Sequence, residues 1–318
     1  MTAWGITSGS AGMEAQVRAL ASLLGIECDI KKAQLKKPFV ALPNRIYAGA
    51  LRPFVLSLLS AESDALAPPY PELVISCGRR AAAVALGLKA KAPDTKFIHI
   101  QDPHIDPKYF DVVVAMQHDK ITGTNVIKTR FALQNITPAR LAEARARFAP
   151  RFAEYPSPRI AVLIGGSTNK YTLTPEAQLD IISQLQQLLA ATPGSLLITP
   201  SRRTGAENIR MLRHAFAENS RVYIYDFAEE NPYMGLLALA DTLVVTDDSV
   251  NMMSEAHATG KPLYIIPLPG HGGTKPARFA EGLLKDGIAR KFSGRLEQWS
   301  YPPDGEIAQL AEKIRKLL

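Results

Sequence analysis

Cysteine is scarce in this sequence, and long apolar runs are missing. Cys28 and Cys77 stand far apart, with no CxxC spacing and no histidine cluster beside them. Neither a disulfide framework nor a metal site is therefore predicted. The longest apolar run, Met234 to Val245, is interrupted by Asp241 and falls short of the ~18 residues that a membrane-spanning helix needs. The first residues lack the pattern of a signal peptide. We expect a cytoplasmic protein that does not span a membrane.

Aromatic residues are also few, at 7% of the chain, and no base-stacking or groove-reading motif accompanies the basic residues. A nucleic-acid partner is therefore not predicted. The net charge of +7 is unevenly distributed: residues 1–150 hold 19 basic and 12 acidic residues, whereas residues 151–318 hold 18 of each. The first half is predicted to meet something negatively charged, such as an anionic membrane surface or an acidic substrate.

Short apolar strands alternate with amphipathic helices along the chain, which predicts an α/β fold with parallel sheets. Residues 149–159 carry three prolines, which exclude a continuing helix and favour a linker. We predict a first domain at residues 1–152, a second at 153–303, and a C-terminal helix at 304–318 that packs back on the first domain. Two Rossmann-type domains would face a central cleft, where open α/β sheets bind ligands after their strands.

A glycine turn, Gly165-Gly166-Ser167, follows the predicted strand Ile160–Ile164. Paired glycines allow unusual backbone angles and let N–H groups approach an anion, and the serine adds a donor. The spacing of a Walker A loop is absent. The alternative is a turn with no ligand.

Two arginines follow the next predicted strand, in the segment Ser201-Arg202-Arg203 that precedes a helix. Guanidinium groups pair bidentately with phosphate oxygens, and the N-terminus of a helix favours an anion. These features predict a phosphate site, with exposed loop arginines as the alternative.

The segment Asp248-Ser249-Val250-Asn251-Met252 follows the predicted strand Thr242–Thr246 and opens a helix. With Asp248 as N-cap, the next backbone N–H groups would lie at the positive end of that helix. Glu255 would then lie two turns into the helix, on the same face as the cap. A carboxylate there can accept hydrogen bonds from ribose hydroxyls while the helix start holds a phosphate. The alternative is an ordinary cap followed by a structural glutamate.

In this order the motifs resemble those of the two-domain GT-B glycosyltransferases. More closely, the chain resembles bacterial members of the "elongated mitochondria" (mitochondrial fission) family. The resemblance spans nearly the whole chain and rests on Gln101-Asp102-Pro103, Ile164-Gly165-Gly166-Ser167, residues 199–204 and residues 245–256.

The resemblance implies a nucleotide-sugar donor on the second domain and a glycan or lipid-linked acceptor on the first. Sugar transfer would need no metal ion and no cofactor, because a helix dipole and cations stabilise the departing diphosphate. The implied donor-binding residues are Gly165, Gly166, Ser167, Ser201, Arg202, Arg203, Asp248, Ser249, Val250, Asn251, Met252 and Glu255.

An inverting transferase needs a base that removes a proton from the acceptor hydroxyl, and we expect it among first-half residues that follow strands. A retaining mechanism is the alternative. Asp102 and Glu14 are the leading candidates, and His104, His118 and Asp119 are others.

Three functions are compatible with these motifs. The leading one is a glycosyltransferase that builds a cell-envelope glycan or glycolipid. The alternatives are a nucleotide-sugar 2-epimerase of the same fold and a non-catalytic adaptor that is peripheral on the membrane. Membrane contact is predicted through a basic cluster in the first half. It comprises Lys31, Lys32, Lys36, Lys37, Arg45 and Arg52.

Overall fold

The computed structural model describes residues 2–270, 273–301 and 306–318. The chain forms two units, one of Met1–Asn135 with Asp304–Leu318 and one of Ile136–Pro303. The predicted boundary between residues 303 and 304 lies outside the described residues. The C-terminal helix, Glu306–Arg315, belongs to the first unit, where the Glu306 carboxylate accepts a hydrogen bond from Arg130 N at 2.8 Å.

The first boundary lies between residues 135 and 136, so its prediction at 152 and 153 was wrong. The proline segment is fastened inside the second unit, since Ser195 donates hydrogen bonds to the carbonyls of Pro156 and Pro158. The helix before it also belongs there, because Arg145 donates to the carbonyl of Ala238. The prolines bend the chain without separating domains.

The first unit is a six-stranded parallel sheet with the order β2-β1-β3-β4-β5-β6. Its strands are β1 Ala3–Thr7, β2 Cys28–Lys32, β3 Leu73–Cys77, β4 Lys96–Ile100, β5 Val112–Met116 and β6 Val126–Thr129. Its helices are α1 Ala11–Leu24, α2 Asn44–Ala48 and α3 Arg79–Lys89, with 3-10 helices at Phe39–Ala41, Arg52–Leu58 and Pro107–Tyr109. Every residue of β3 is buried, as expected for a central strand that is covered on both faces.

The second unit is also a six-stranded parallel sheet, with the order β12-β11-β10-β7-β8-β9. Its strands are β7 Arg159–Ile164, β8 Ser195–Pro200, β9 Val222–Ile224, β10 Thr242–Thr246, β11 Leu263–Ile266 and β12 Ala289–Lys291. Its helices are α4 Pro138–Phe148, α5 Pro175–Ala191, α6 Ala206–Phe216, α7 Tyr233–Leu239, α8 Val250–Ala258 and α9 Lys275–Lys285, with 3-10 helices at Pro150–Phe152 and Arg202–Thr204.

Each sheet has a point where the strand order reverses. In the first unit it lies between β1 and β3, and in the second between β7 and β10. At such a point the loops after the two strands leave toward opposite faces, and a crevice opens at the carboxyl ends. Ligand-binding residues are therefore expected in the loops after β1, β3, β7 and β10.

The described residues contain neither a membrane-spanning helix nor a cluster of metal ligands. Within residues 2–270, 273–301 and 306–318, no helix is long and apolar enough to cross a bilayer. In the same part of the chain, no three His, Cys, Asp or Glu residues are grouped as they would be to bind a metal ion.

Candidate functional site

The glycine turn after β7 hydrogen-bonds to the neighbouring loops. Gly165 N donates to Thr246 Oγ1 at 2.8 Å, and Gly166 N donates to Asp248 Oδ2 at 3.2 Å. Ser167 N donates to the carbonyl of Arg203 at 3.1 Å. All three N–H groups thus have protein acceptors. Neighbouring loops therefore engage the N–H groups that the sequence offered to a ligand, and the donor-binding roles of Gly165, Gly166 and Ser167 stay predictions.

Close packing explains why both positions are glycine. A Cβ on Gly165 would lie 2.1 Å from Asp248 Oδ1, and one on Gly166 would lie 2.1 Å from the carbonyl oxygen of Arg203. Gly166 also has a φ of +148°, which side chains disfavour. The turn therefore serves to bring the loops after β7, β8 and β10 together.

The carboxylate of Asp248 joins these loops. Its Oδ1 accepts from Thr246 Oγ1 at 2.7 Å, and its Oδ2 pairs with Arg203 Nη2 at 2.8 Å. The side chain of Asp248 is fully buried and bonds to neighbouring loops, and it does not cap α8. The N-cap is Ser249, whose Oγ accepts from Met252 N at 3.3 Å. The prediction of Asp248 as N-cap was wrong.

The two arginines after β8 differ in their surroundings. Arg203 pairs with Asp248, whereas Arg202 is exposed and forms no hydrogen bond or ion pair with the described residues. Ser201 has a structural position, because its hydroxyl donates to the carbonyl of Gly165 at 2.7 Å. Arg202 thus offers a whole guanidinium to a ligand, and Arg203 offers only its remaining N–H groups.

Glu255 lies in the second turn of α8 and shares a helix face with Asn251 and Met252 of the first turn. Its Oε2 accepts from the Tyr233 hydroxyl at 2.5 Å. Burial raises the pKa of Glu255, and the hydrogen bond from Tyr233 opposes that shift. The pKa of the tyrosine is raised well above its usual value by burial and by the carboxylate. Glu255 has no other partner among the described residues.

A cavity of about 390 Å³ opens beside the glycine turn. Its lining residues are Thr168, Asn169, Lys170, Tyr171, Arg203, Asp248 and Pro276. Thr168 Oγ1 accepts from the backbone N–H groups of Lys170 and Tyr171 and holds the loop in shape. Since Asp248 and Arg203 neutralise each other, Lys170 leaves the lining with a net positive charge.

Phe227 was not predicted as a site residue. It follows β9, at the same sheet edge as the arginine loop after β8. Its side chain is 41% exposed, and its φ of +68° lies in the left-handed region. The Tyr225 ring supports it at a centroid distance of 4.9 Å. Backbone strain at an exposed aromatic residue often marks a functional position, but no local sequence signal announces it. Tyr233 was missed for the same reason.

The first-unit candidates for a base have distinct environments. Asp102 Oδ1 accepts from His104 N at 2.7 Å, and Oδ2 lies 3.9 Å from the imidazole of the same residue. Asp102 stands between Gln101 and His104, which have φ values of +78° and +55°. The Glu14 carboxylate is half-buried and has no polar partner among the described residues. Asp119 has a structural contact, because it accepts from Met116 N at 3.2 Å.

The predicted basic cluster is only partly available. Lys31 pairs with Asp29 at 2.6 Å, and Arg52 lies over the Tyr109 ring and donates to the carbonyl of Leu86. The exposed members are Lys32, Lys36, Lys37 and Arg45.

Two Rossmann-type units in tandem define a protein of the GT-B fold, and solved structures agree. Over 99% of this chain and 99% of the other, the structure is similar to a UDP-GlcNAc 2-epimerase from Methanocaldococcus jannaschii, with a TM-score of 0.58 and 12% identity. The enzyme from Neisseria meningitidis bound to UDP-GlcNAc gives a TM-score of 0.50 and 13% identity over 99% of this chain and all of the other. The predicted fold class is confirmed.

The chain belongs to the mitochondrial fission ELM1 family, whose model matches residues 11–318. It is 34% identical over 275 residues to the mitochondrial fission protein ELM1 of Arabidopsis thaliana. That match covers 78% of this chain but only 64% of the plant protein. An uncharacterised protein of Rickettsia prowazekii is 29% identical over 77% of this chain and 79% of its own length. The resemblance to this family is confirmed.

Proposed function

We propose that this protein is a glycosyltransferase that binds a nucleotide-sugar on its second unit. The observation that carries the proposal is the meeting of three loops at the point where the order of the second sheet reverses. There the positive cavity is lined by Asp248, which lies just before α8, the helix that carries Glu255. Open α/β sheets bind nucleotides at this position.

The diphosphate would bind to cations and to the first turn of α8. Lys170 lines the cavity. Arg202 is exposed and directly precedes Arg203, which pairs with Asp248. The first N–H groups of an α-helix have no partner within the helix, and their dipoles favour an anion. These groups would stabilise the negative charge that develops on the departing diphosphate.

The nucleoside would extend along the same edge. The Glu255 oxygen that Tyr233 leaves open would accept hydrogen bonds from the ribose hydroxyls. Phe227 would stack on the base, since an exposed and conformationally fixed aromatic ring suits a flat partner. The solved structure from Neisseria meningitidis is described as bound to UDP-GlcNAc, which makes uridine nucleotides the first ligands to test.

The acceptor would bind to the first unit. We place Asp102 first as the base, because its hydrogen bond to His104 N fixes the carboxylate at the end of β4. Glu14 is the second candidate, because its half-buried carboxylate has no competing partner among the described residues. An acceptor hydroxyl must come within hydrogen-bond reach of one of them.

Calorimetric titration with UDP, GDP and ADP tests the donor site. The double variant Lys170→Gln/Arg202→Gln should weaken binding of the preferred nucleotide at least about tenfold. The charge-matched control Arg210→Gln/Arg213→Gln, on the exposed side of α6, should bind as the wild type does. Unchanged binding in the first variant would refute the site, and no binding of any nucleotide would favour a non-catalytic adaptor.

Product analysis separates the two enzyme classes. Incubation of the preferred UDP-sugar without acceptor should leave the sugar configuration unchanged, whereas a 2-epimerase would convert it. With a lipid extract as the acceptor source, the transferase should release UDP, and the Asp102→Asn variant should slow that release about a hundredfold or more.

A further inference from the structure

The first unit has its own cavity where the order of its sheet reverses. Its volume is about 380 Å³, and the loops after β1 and β3 both contribute to it. Its lining residues are Ser8, Met13, Val40, Ala41, Arg79 and Arg80. None of them belongs to the donor site of the second unit, so the cavity needs its own explanation.

Two of these residues, Arg79 and Arg80, are the first residues of α3 and are exposed. Neither forms an ion pair within the described parts of the chain, and the first turn of α3 contains no acidic residue. The start of a helix carries a partial positive charge and favours anions. Two adjacent guanidinium groups there repel each other and are repelled by the positive end of the helix dipole. The arrangement costs folding stability, as is typical of residues kept for binding.

The backbone at the start of α3 is held in place, and Arg79 Nη2 donates to the carbonyl of Leu42 at 3.4 Å. Asn44 is only 3% exposed, and its Nδ2 donates to the carbonyls of Arg79 and Pro103 at 2.7 Å each. Gly78, with a φ of +87°, allows Met13 to approach so closely that a Cβ would lie 2.8 Å from its Cε. A buried amide and a left-handed glycine thus preorganise the start of α3.

A third cation lies near the same crevice. The side chain of Lys32 runs along Gly9, with its Cε 3.2 Å from where a Cβ on that glycine would be. Lys32 is exposed, and its ammonium group has no ion-pair partner among residues that the structure describes. It therefore adds to the positive charge around the loop after β1, next to Ser8.

We propose that this cavity binds the phosphate or diphosphate group of the acceptor. This inference rests on the proposed function of the second unit. Guanidinium forks pair bidentately with phosphate oxygens, and Met13, Val40 and Ala41 provide an apolar wall for the uncharged part of the molecule. The phosphate ester would be part of a soluble sugar phosphate or of a lipid headgroup.

Titration of the full chain with inorganic pyrophosphate tests the inference. Arg79→Gln/Arg80→Gln should lose the first-unit site, with at least about a tenfold weaker affinity, and should melt at a higher temperature than the wild type. The control Arg18→Gln/Lys91→Gln removes the same charge from two exposed positions of this unit, one in α1 and one in the turn after α3, and should bind pyrophosphate normally. An affinity of the test variant equal to that of the control overturns the inference, as does a wild type that binds no pyrophosphate.

The two proposals fail separately. If Lys170→Gln/Arg202→Gln abolishes all pyrophosphate binding and Arg79→Gln/Arg80→Gln abolishes none, the first-unit site is excluded while the donor site stands. If Arg79→Gln/Arg80→Gln alone loses binding, the first-unit site is supported and the donor site is not.

Two competitors identify the source of the phosphate. Displacement of pyrophosphate by glucose 1-phosphate supports a soluble acceptor. Displacement by phosphatidylcholine vesicles that contain phosphatidic acid, and not by pure phosphatidylcholine vesicles, supports a lipid acceptor. If neither displaces it from the Arg79 and Arg80 site, the assignment to a phosphate ester is overturned.

Discussion

The carboxylate of Asp248 lies 2.8 Å from the guanidinium of Arg203, with the aspartate side chain fully buried and the arginine side chain 40% exposed. The same carboxylate accepts from Gly166 N and Thr246 Oγ1. One buried anion thus connects the loops after β7, β8 and β10. It lines the cavity together with its partner Arg203, so Lys170 and Arg202 are the cations left for a ligand.

Replacement of Asp248 by asparagine should destabilise the second unit. An amide offers one acceptor oxygen where the carboxylate uses two, and Arg203 loses its partner. The expected loss is about 1–3 kcal/mol in the free energy of unfolding, measured by urea denaturation. The control Asp180→Asn, at an exposed position bonded to Gln184, should stay within about 0.5 kcal/mol of the wild type. Equal losses in both variants would show that the buried pair has no special role.

Glu255→Gln should stabilise the protein at neutral pH while it weakens nucleotide binding. The pKa of Glu255 is raised in the folded state by burial, so ionisation disfavours folding. The wild type loses stability as pH rises from the unfolded-state pKa of about 4.3 through the folded-state value, and the variant does not. Thermal melts should therefore favour the variant at pH 7 and converge near pH 4.

The affinity of Glu255→Gln for UDP should fall about fivefold to tenfold, because a charged acceptor is replaced by a neutral one. Glu281→Gln, at an exposed position of α9, is the matched control. A Glu255→Gln variant that is less stable than the wild type at pH 7 would contradict the assigned pKa direction. An unchanged affinity for UDP would contradict the ribose contact.

Phe227 allows stacking and backbone strain to be separated. Its φ is +68°, so Phe227→Gly should relieve strain and raise the melting temperature, whereas Phe227→Ala should not. Both variants should bind UDP about tenfold more weakly, because a stacked base contributes about 1–3 kcal/mol. Their affinity for pyrophosphate, which has no base, should be unchanged. A change that is equal for UDP and pyrophosphate would mean that the loop, and not the ring, was responsible.

Binding to an anionic membrane depends on the exposed part of the basic cluster. Lys37→Gln/Arg45→Gln should reduce flotation with vesicles that contain phosphatidylserine, by about 1 kcal/mol per cation, and added salt should reduce binding of the wild type. Arg210→Gln/Arg213→Gln, in the second unit, should float like the wild type. If wild-type binding is absent or insensitive to salt, the basic cluster is an ordinary solvated surface and the prediction is wrong.

Much of the fold was predictable because its signals are local. The structure begins and ends β1 at Ala3 and Thr7 and β10 at Thr242 and Thr246, where the apolar runs begin and end. Pro175 opens α5 with Thr174 as its cap, as the propensities of proline and threonine predict. Such patterns, in their order along the chain, also identified the family.

The direction of the polar groups at the site was not predictable. Gly165 N and Gly166 N donate to Thr246 and Asp248, which lie 81 and 82 positions away in the sequence. Nothing in the glycine turn itself indicates these partners, so the sequence alone predicts a ligand anion in their place. For the same reason Asp248 was placed at the helix start, where Ser249 serves instead.

The amino-acid sequence alone thus determined the strands, the helices, the family and the loops in which chemistry is sought, because each depends on neighbours along the chain. Only the tertiary structure decided which polar groups in those loops are hydrogen-bonded within the protein and which remain for a ligand. Hydrogen bonds between loops that are distant in sequence make that choice, since a buried carboxylate such as that of Asp248 must find its partners wherever the fold brings them.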